Sequence, residues 1–138
     1  MSLSRAHGLF NVVTGLWPLV HMRSFEAVTG PKVDRWLVRT VGGLMAANGL
    51  AQLTARDTEQ RLSGQVGLGT SAVLAAVDLR YGTTGRISRV YLLDAAVQLA
   101  WTAAWTATRR RAALPGRRRR DQWLVVPRPQ CRSAVSGP

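Results

Sequence analysis

The sequence has one cysteine and two histidines in 138 residues, and these shortages exclude much chemistry at the outset. A single thiol, Cys131, permits neither an internal disulfide nor a thiolate metal cluster within one chain. His7 and His21 would lie about 21 Å apart along one helix, too far to serve as axial ligands of one haem. No His, Cys and carboxylate grouping has zinc-ligand spacing. A Ser or Cys nucleophile with an oriented histidine is equally missing. Gly64, Gly67 and Gly69 lack the preceding strand and the lysine or acidic partner that a phosphate-binding loop needs. The expectation is a chain with no metal, no cofactor and no catalytic residue of its own.

Negative charge and lysine are also scarce. Seven acidic residues stand against nineteen basic ones, for a formal net charge of +12, and Lys32 is the only lysine. The arginines crowd the end of the chain: Arg109, Arg110, Arg111, Arg117, Arg118, Arg119, Arg120, Arg128 and Arg132 face Asp121 alone. What remains is an apolar body joined to a basic tail.

Within that body four apolar segments stand out, at 6–22, 36–54, 63–79 and 87–108. At helical rise they measure about 25 to 33 Å, near the thickness of a bilayer's hydrocarbon core. A soluble helical domain would show a broad charged face on each helix, and none of the four does. Arg5 before the first segment imitates a signal peptide, but His21, Met22 and Arg23 follow it in place of a small-residue cleavage site. The connections 23–35, 55–62 and 80–86 are short, which implies antiparallel neighbours. The predicted fold is therefore all-α: a four-helix up-down-up-down transmembrane bundle over 1–108, followed by a disordered arginine-rich cytoplasmic tail over 109–138. An even number of spans ties both termini to one side, and the tail arginines place that side in the cytoplasm. Trp36, Tyr81 and Tyr91 are expected at the outer membrane boundary and Trp105 near the inner one.

Polar residues inside the apolar segments are where any function would be carried out. Arg39, Asp78 and Asp94 fall in the same half of the predicted bilayer. Arg39 shares a helix face with Gly43, Ala46 and Leu50, and Asp78 shares one with Ala75, Ser71 and Gly67. Facing one another, these seams would bring Arg39 and Asp78 together as a structural ion pair or as part of a ligand site. Asp94, on a face with Gln98, Trp101 and Trp105, is either neutralised by a neighbouring Arg39, Arg80 or Arg89 or is a candidate proton carrier. His7, Asn11, Thr14, Pro18 and His21 recur at helical spacing and form an inward polar stripe on the first helix. The tail arginines, Arg109 to Arg111 and Arg117 to Arg120 above all, suit anionic lipid headgroups. Nucleic acid is the disfavoured partner for them, and another membrane protein is a further candidate partner.

The stretch Gly15-Leu-Trp-Pro-Leu-Val-His21, with Phe25, Gly30-Pro-Lys32, Asp34-Arg-Trp36 and Arg39-Thr-Val-Gly-Gly43, resembles small bacterial four-helix membrane proteins. In length and layout the chain is more distantly similar to DoxX-like proteins, some of which the resemblance implies to associate with respiratory or redox complexes. The expected role is a non-enzymatic accessory or small-ligand-binding bundle. The alternatives are a membrane subunit of a redox or transfer enzyme complex, and a soluble arginine-rich nucleic-acid binder.

Overall fold

The computed structural model describes residues 2–113, and these fold into five α-helices with no strand. They are α1 (Leu3–Val20), α2 (Met22–Thr29), α3 (Arg35–Thr54), α4 (Gln60–Thr83) and α5 (Tyr91–Ala113), with one 3-10 turn at Asp57–Glu59 between α3 and α4. The all-helical expectation holds. α2 departs from the expected layout: all but its first residue, Met22, lies in the connection 23–35, and its eight residues are too few to display a helical period.

Local chemistry sets the helix ends. Ser2 caps α1 by accepting the Arg5 N–H at 3.3 Å. Pro18 sits inside the last turn of α1, and His21 breaks the helix before capping α2, its Nδ1 accepting the Ser24 N–H at 3.2 Å. Gly30, at φ +84°, ends α2 in a conformation that suits glycine. The return to α3 is clamped by Glu26. Its two carboxylate oxygens accept from Arg35 Nε and a terminal guanidinium nitrogen, both at 2.8 Å, and Oε1 also accepts the Lys32 N–H at 3.2 Å. α2 is tied back to α1 by Trp17, whose Nε1 donates to Ser24 Oγ at 2.8 Å and whose ring meets Phe25 edge-on.

The long helices form two antiparallel pairs, α1 with α3 and α4 with α5, and the two pairs meet through thinner contacts. The α1–α3 seam is made by glycines. A methyl group placed on Gly8, Gly15, Gly42 or Gly49 would lie 2.5–2.7 Å from the carbonyl oxygen of the facing glycine. The backbones are therefore as close as they can be, in the order Gly8 against Gly49 and Gly15 against Gly42. In the α4–α5 seam, Gly82 lies against Leu92, and Gly64 and Gly67 lie against Trp105. The face of α4 expected to be a seam, Gly67, Ser71, Ala75 and Asp78, is indeed buried, but it packs on α5 rather than on α3. On α3 the seam is Gly42 and Gly49; Gly43 has nothing within 4 Å of an added Cβ.

The interior of the described residues is mostly polar. Pro18, Ala75, Ala95 and Trp105 are the buried apolar side chains, whereas Ser4, His7, Asn11, Thr29, Gln52, Ser63, Ser71, Asp78 and Gln98 are all buried. Large apolar side chains point outward on every long helix, among them Val20 at 79 % exposure and Leu93 at 71 %. By length and mean hydropathy, one helix among the described residues, Gln60–Thr83, is apolar enough to cross a membrane, not the four expected. Trp105 is in the core and not at a boundary; Trp36 and Tyr81 are exposed.

Two expectations follow. Gly42→Ala should destabilise the fold by about 1–3 kcal/mol, because the new methyl group meets a backbone carbonyl that cannot move aside. Its neighbour Gly43→Ala should stabilise it by about 0.5–1 kcal/mol through helix propensity alone. Equilibrium unfolding of the two variants measures both. The second concerns Glu26, whose carboxyl is held below the ordinary glutamate range, first by the Arg35 hydrogen bonds and then by the Lys32 N–H, against a partial desolvation that acts the other way. A folded-state value lowered in this way contributes stability above the unfolded value, and that contribution is lost as pH falls through the lowered one. Arg35→Gln should move the Glu26 titration upward, which carbon NMR of the labelled carboxyl will follow.

Candidate functional site

Two constellations occupy the interior, one at each end of the helix pairs. At the end where α1 starts, the N-terminus of α4 and the C-terminal parts of α3 and α5 converge on His7. Trp105 Nε1 donates to His7 Nδ1 at 3.1 Å, and the Gln52 side-chain amide lies 3.4 Å from the same nitrogen. Asn11 Nδ2 donates to Gln52 Oε1 at 3.2 Å. Ser4 Oγ donates to the Gln52 carbonyl at 2.9 Å and also bonds Ser63 Oγ. Because Nδ1 faces donors, it is the acceptor of the imidazole and the proton resides on Nε2. The His7 ring is held between Trp101, 4.6 Å away by centroids, and Trp105.

Glycine makes this arrangement possible. A Cβ on Gly67 would come within 2.6 Å of Gln52 Nε2 and 2.7 Å of the Trp105 indole, so α4 must lack a side chain where the amide and the indole enter. A groove beside this network, of about 720 Å³, is lined by Ser4, Gly64, Trp105, Arg61 and Arg109 among others.

Further along, Ser71 and Thr102 bridge α4 and α5 at 3.1 Å, and Gln98 Nε2 reaches Asp94 Oδ1 at 3.4 Å. Asp78, on α4, shares its surroundings with Asp94. These carboxyl groups border a cleft of about 500 Å³ between the two helix pairs, with apolar walls from α1, α3, α4 and α5 and with Phe25, Val28 and Thr29 of α2 at one end. At the same end the Lys32 ammonium lies 4.7 Å from the centre of the Tyr91 ring and donates to the Thr29 carbonyl at 2.9 Å. Four buried atoms have no hydrogen-bond partner in the described chain: His7 Nε2, Asn11 Oδ1, Gln98 Oε1 and Asp78 Oδ2.

The residues singled out in the sequence are distributed unevenly over this interior. Asp78 is buried and Asp94 half-buried, and both border the same cleft. Arg39 is exposed, as are Arg80 and Arg89, and among the described residues the one ion pair is Arg35 with Glu26. The expected Arg39–Asp78 pair does not form, because α3 turns its glycine face to α1 and α4 turns its acidic face to α5. His7 and Asn11 are buried as expected of the stripe, with Gly15 and Pro18. Thr14 borders the cleft and bonds its own helix at the Phe10 carbonyl, while His21 is an exposed cap. Arg109, Arg110 and Arg111 are exposed at the end of α5; Arg117, Arg118, Arg119 and Arg120 lie outside the described residues. Gln52 and Ser4 were missed. A glutamine amid the apolar residues of α3 was the available signal for the first.

Comparison with protein-family models, with curated proteins and with solved structures finds no match. The likeness to DoxX-like proteins therefore rests on length and layout alone.

The network around His7 makes a direct prediction. Gln52→Leu strands the Asn11 amide and should destabilise the fold by about 1–3 kcal/mol. The double variant Asn11→Val with Gln52→Leu should lose less than the sum of the two single changes. Thermal unfolding followed by tryptophan fluorescence checks this; additive losses would mean that the two side chains do not act together.

Proposed function

We propose that the chain is an integral membrane protein, a four-helix up-down-up-down bundle with both termini in the cytoplasm, which binds a small ligand between its helix pairs and catalyses no reaction. The observation that carries this reading is the inverted distribution of side chains. Amides, hydroxyls, an imidazole and a carboxyl fill the interior, while valine and leucine cover the outside of every long helix. In water that surface would be an association liability, and in lipid it is the required one. The cleft supports the ligand, since its volume lies in the range of small-molecule sites and its walls are apolar with few polar groups. The basic residues from Arg109 onward support the orientation, and contact with anionic headgroups is the role proposed for them.

A second reading is favoured by the hydropathy of the helices, of which one alone is apolar enough to span: a helical protein in water whose apolar surface is covered by a partner. Cell fractionation decides between the two. The membrane reading expects the full chain to stay with membranes through an alkaline carbonate wash, and a reporter active only outside the cytoplasm, fused after Pro138, to remain silent. Release into the soluble fraction would overturn the membrane reading, and an active reporter would invert the orientation.

A further inference from the structure

We propose that the cleft bordered by Asp78 and Asp94 takes an apolar-tailed monocation, of the class of amphipathic amines, with its ammonium against the two carboxyl groups. This rests on the ligand-binding reading above and names the chemical class of the ligand. Asp78 is only 5 % exposed, borders the cleft, and has no partner for Oδ2. A carboxyl oxygen in such surroundings is uncompensated unless a donor or cation comes to it. No basic side chain in the described residues pairs with Asp78 or Asp94. Asp78 and Asp94 border one and the same cleft, so a single ammonium placed there offsets the repulsion between the two carboxyl groups.

The walls select the rest of the ligand. Val41, Met45, Leu74 and Val97 offer only hydrocarbon and a thioether, which fits an alkyl or aryl body and not a hydrated ion. A divalent metal would demand more protein ligands than two carboxyl groups, and among the described residues no group of three or more His, Cys, Asp or Glu side chains could hold one. An anion would meet the carboxyl charge directly. Tyr91, which lines the cleft, already carries a cation on its ring, the Lys32 ammonium. A ligand ammonium would enter past that ring towards Asp94 and Asp78.

The test uses the full-length chain in nanodiscs of zwitterionic lipid, with empty nanodiscs as the reference. Three probes share one tail and differ in head charge: decylammonium, decanol and decyl sulfate, each below its micellar concentration. Decylammonium should bind saturably at one site per chain, at least about 10-fold more tightly than decanol, as expected for one charge-assisted hydrogen bond. Asp78→Asn and Asp94→Asn should each weaken decylammonium by about 10-fold and leave decanol unchanged. Val41→Phe, which fills the cleft, should weaken both. If Asp78→Asn fails to fold, as judged by tryptophan fluorescence, the half-buried Asp94 carries the comparison. Equal affinity for decylammonium and decanol, with both lost in Val41→Phe, would overturn the cation and leave the ligand cleft standing. A preference for decyl sulfate would also overturn the cation. No saturable binding of any probe above the empty nanodisc would overturn both the cation and the ligand-binding reading.

Discussion

The distance between α1 and α3 is set by four glycines, and the interior depends on that distance. With Gly8 against Gly49 and Gly15 against Gly42, each backbone carbonyl occupies the place where a methyl group on the other helix would be. Close approach of this kind substitutes dense backbone packing for interlocking apolar side chains. It also fixes what lies one turn to the side. His7 and Asn11 of α1 meet Gln52 of α3 because the two helices cannot stand further apart without breaking the 3.2 Å bond between the amides. The same economy recurs on α4, where Gly67 admits both the Gln52 amide and the Trp105 indole. The second helix pair is thus joined to the first through side chains of the first pair's own network.

That joining is confined to one end, and the two ends differ in consequence. Around His7, hydrogen bonds cross between α1, α3, α4 and α5, so displacing any one helix strands a buried polar group on another. Around Asp78 and Asp94, the hydrogen bonds run within α5 or between α4 and α5, and the α1–α3 pair contributes walls that are apolar apart from Thr14. α2 closes this end from the side, placing Phe25, Val28 and Thr29 at the margin of the cleft, and the Glu26–Arg35 clamp holds α2 to the start of α3. One end is tied and the other is open. A ligand entering the open end would separate surfaces held by contact alone.

Part of this was legible in the sequence. The four long helices, the inward face of α1 from His7 through Pro18, and the inward placement of Asp78 and Asp94 all follow from polar or small residues recurring at helical spacing. Periodicity reports which face of a helix is special, but not which neighbour it faces. The α4 seam was recognised, yet its partner is α5, and with that change Arg39 lost its place in the interior. On α3 the seam was read one residue out of register, from Gly43 instead of Gly42, and one residue is about 100° around a helix. The place of Trp105 near the end of an apolar run suggests an interfacial aromatic; a glycine facing it on another helix, which no local pattern reveals, makes it a core residue.

The hydropathy of the helices follows from the same partition between faces. An average over a whole helix mixes its inward and outward residues, so a helix that buries large polar groups scores low even when its outer surface is wholly apolar. α1 turns Val13, Leu16 and Val20 outward but buries His7 and Asn11. α3 exposes Leu37, Val41, Leu44 and Leu50 and buries Gln52. α4 alone is apolar enough to span by this measure, and its inward face is built from glycine, serine and alanine with a single carboxyl. Small residues depress the average far less than amides or imidazoles do. The helix that yields space to its neighbours' polar side chains is the one that stands out, whereas α1 and α3 fall short through their buried His7, Asn11 and Gln52 together with the exposed Arg5 and Arg39. Outward apolar surface, counted face by face, is the quantity that bears on the solvent these helices require.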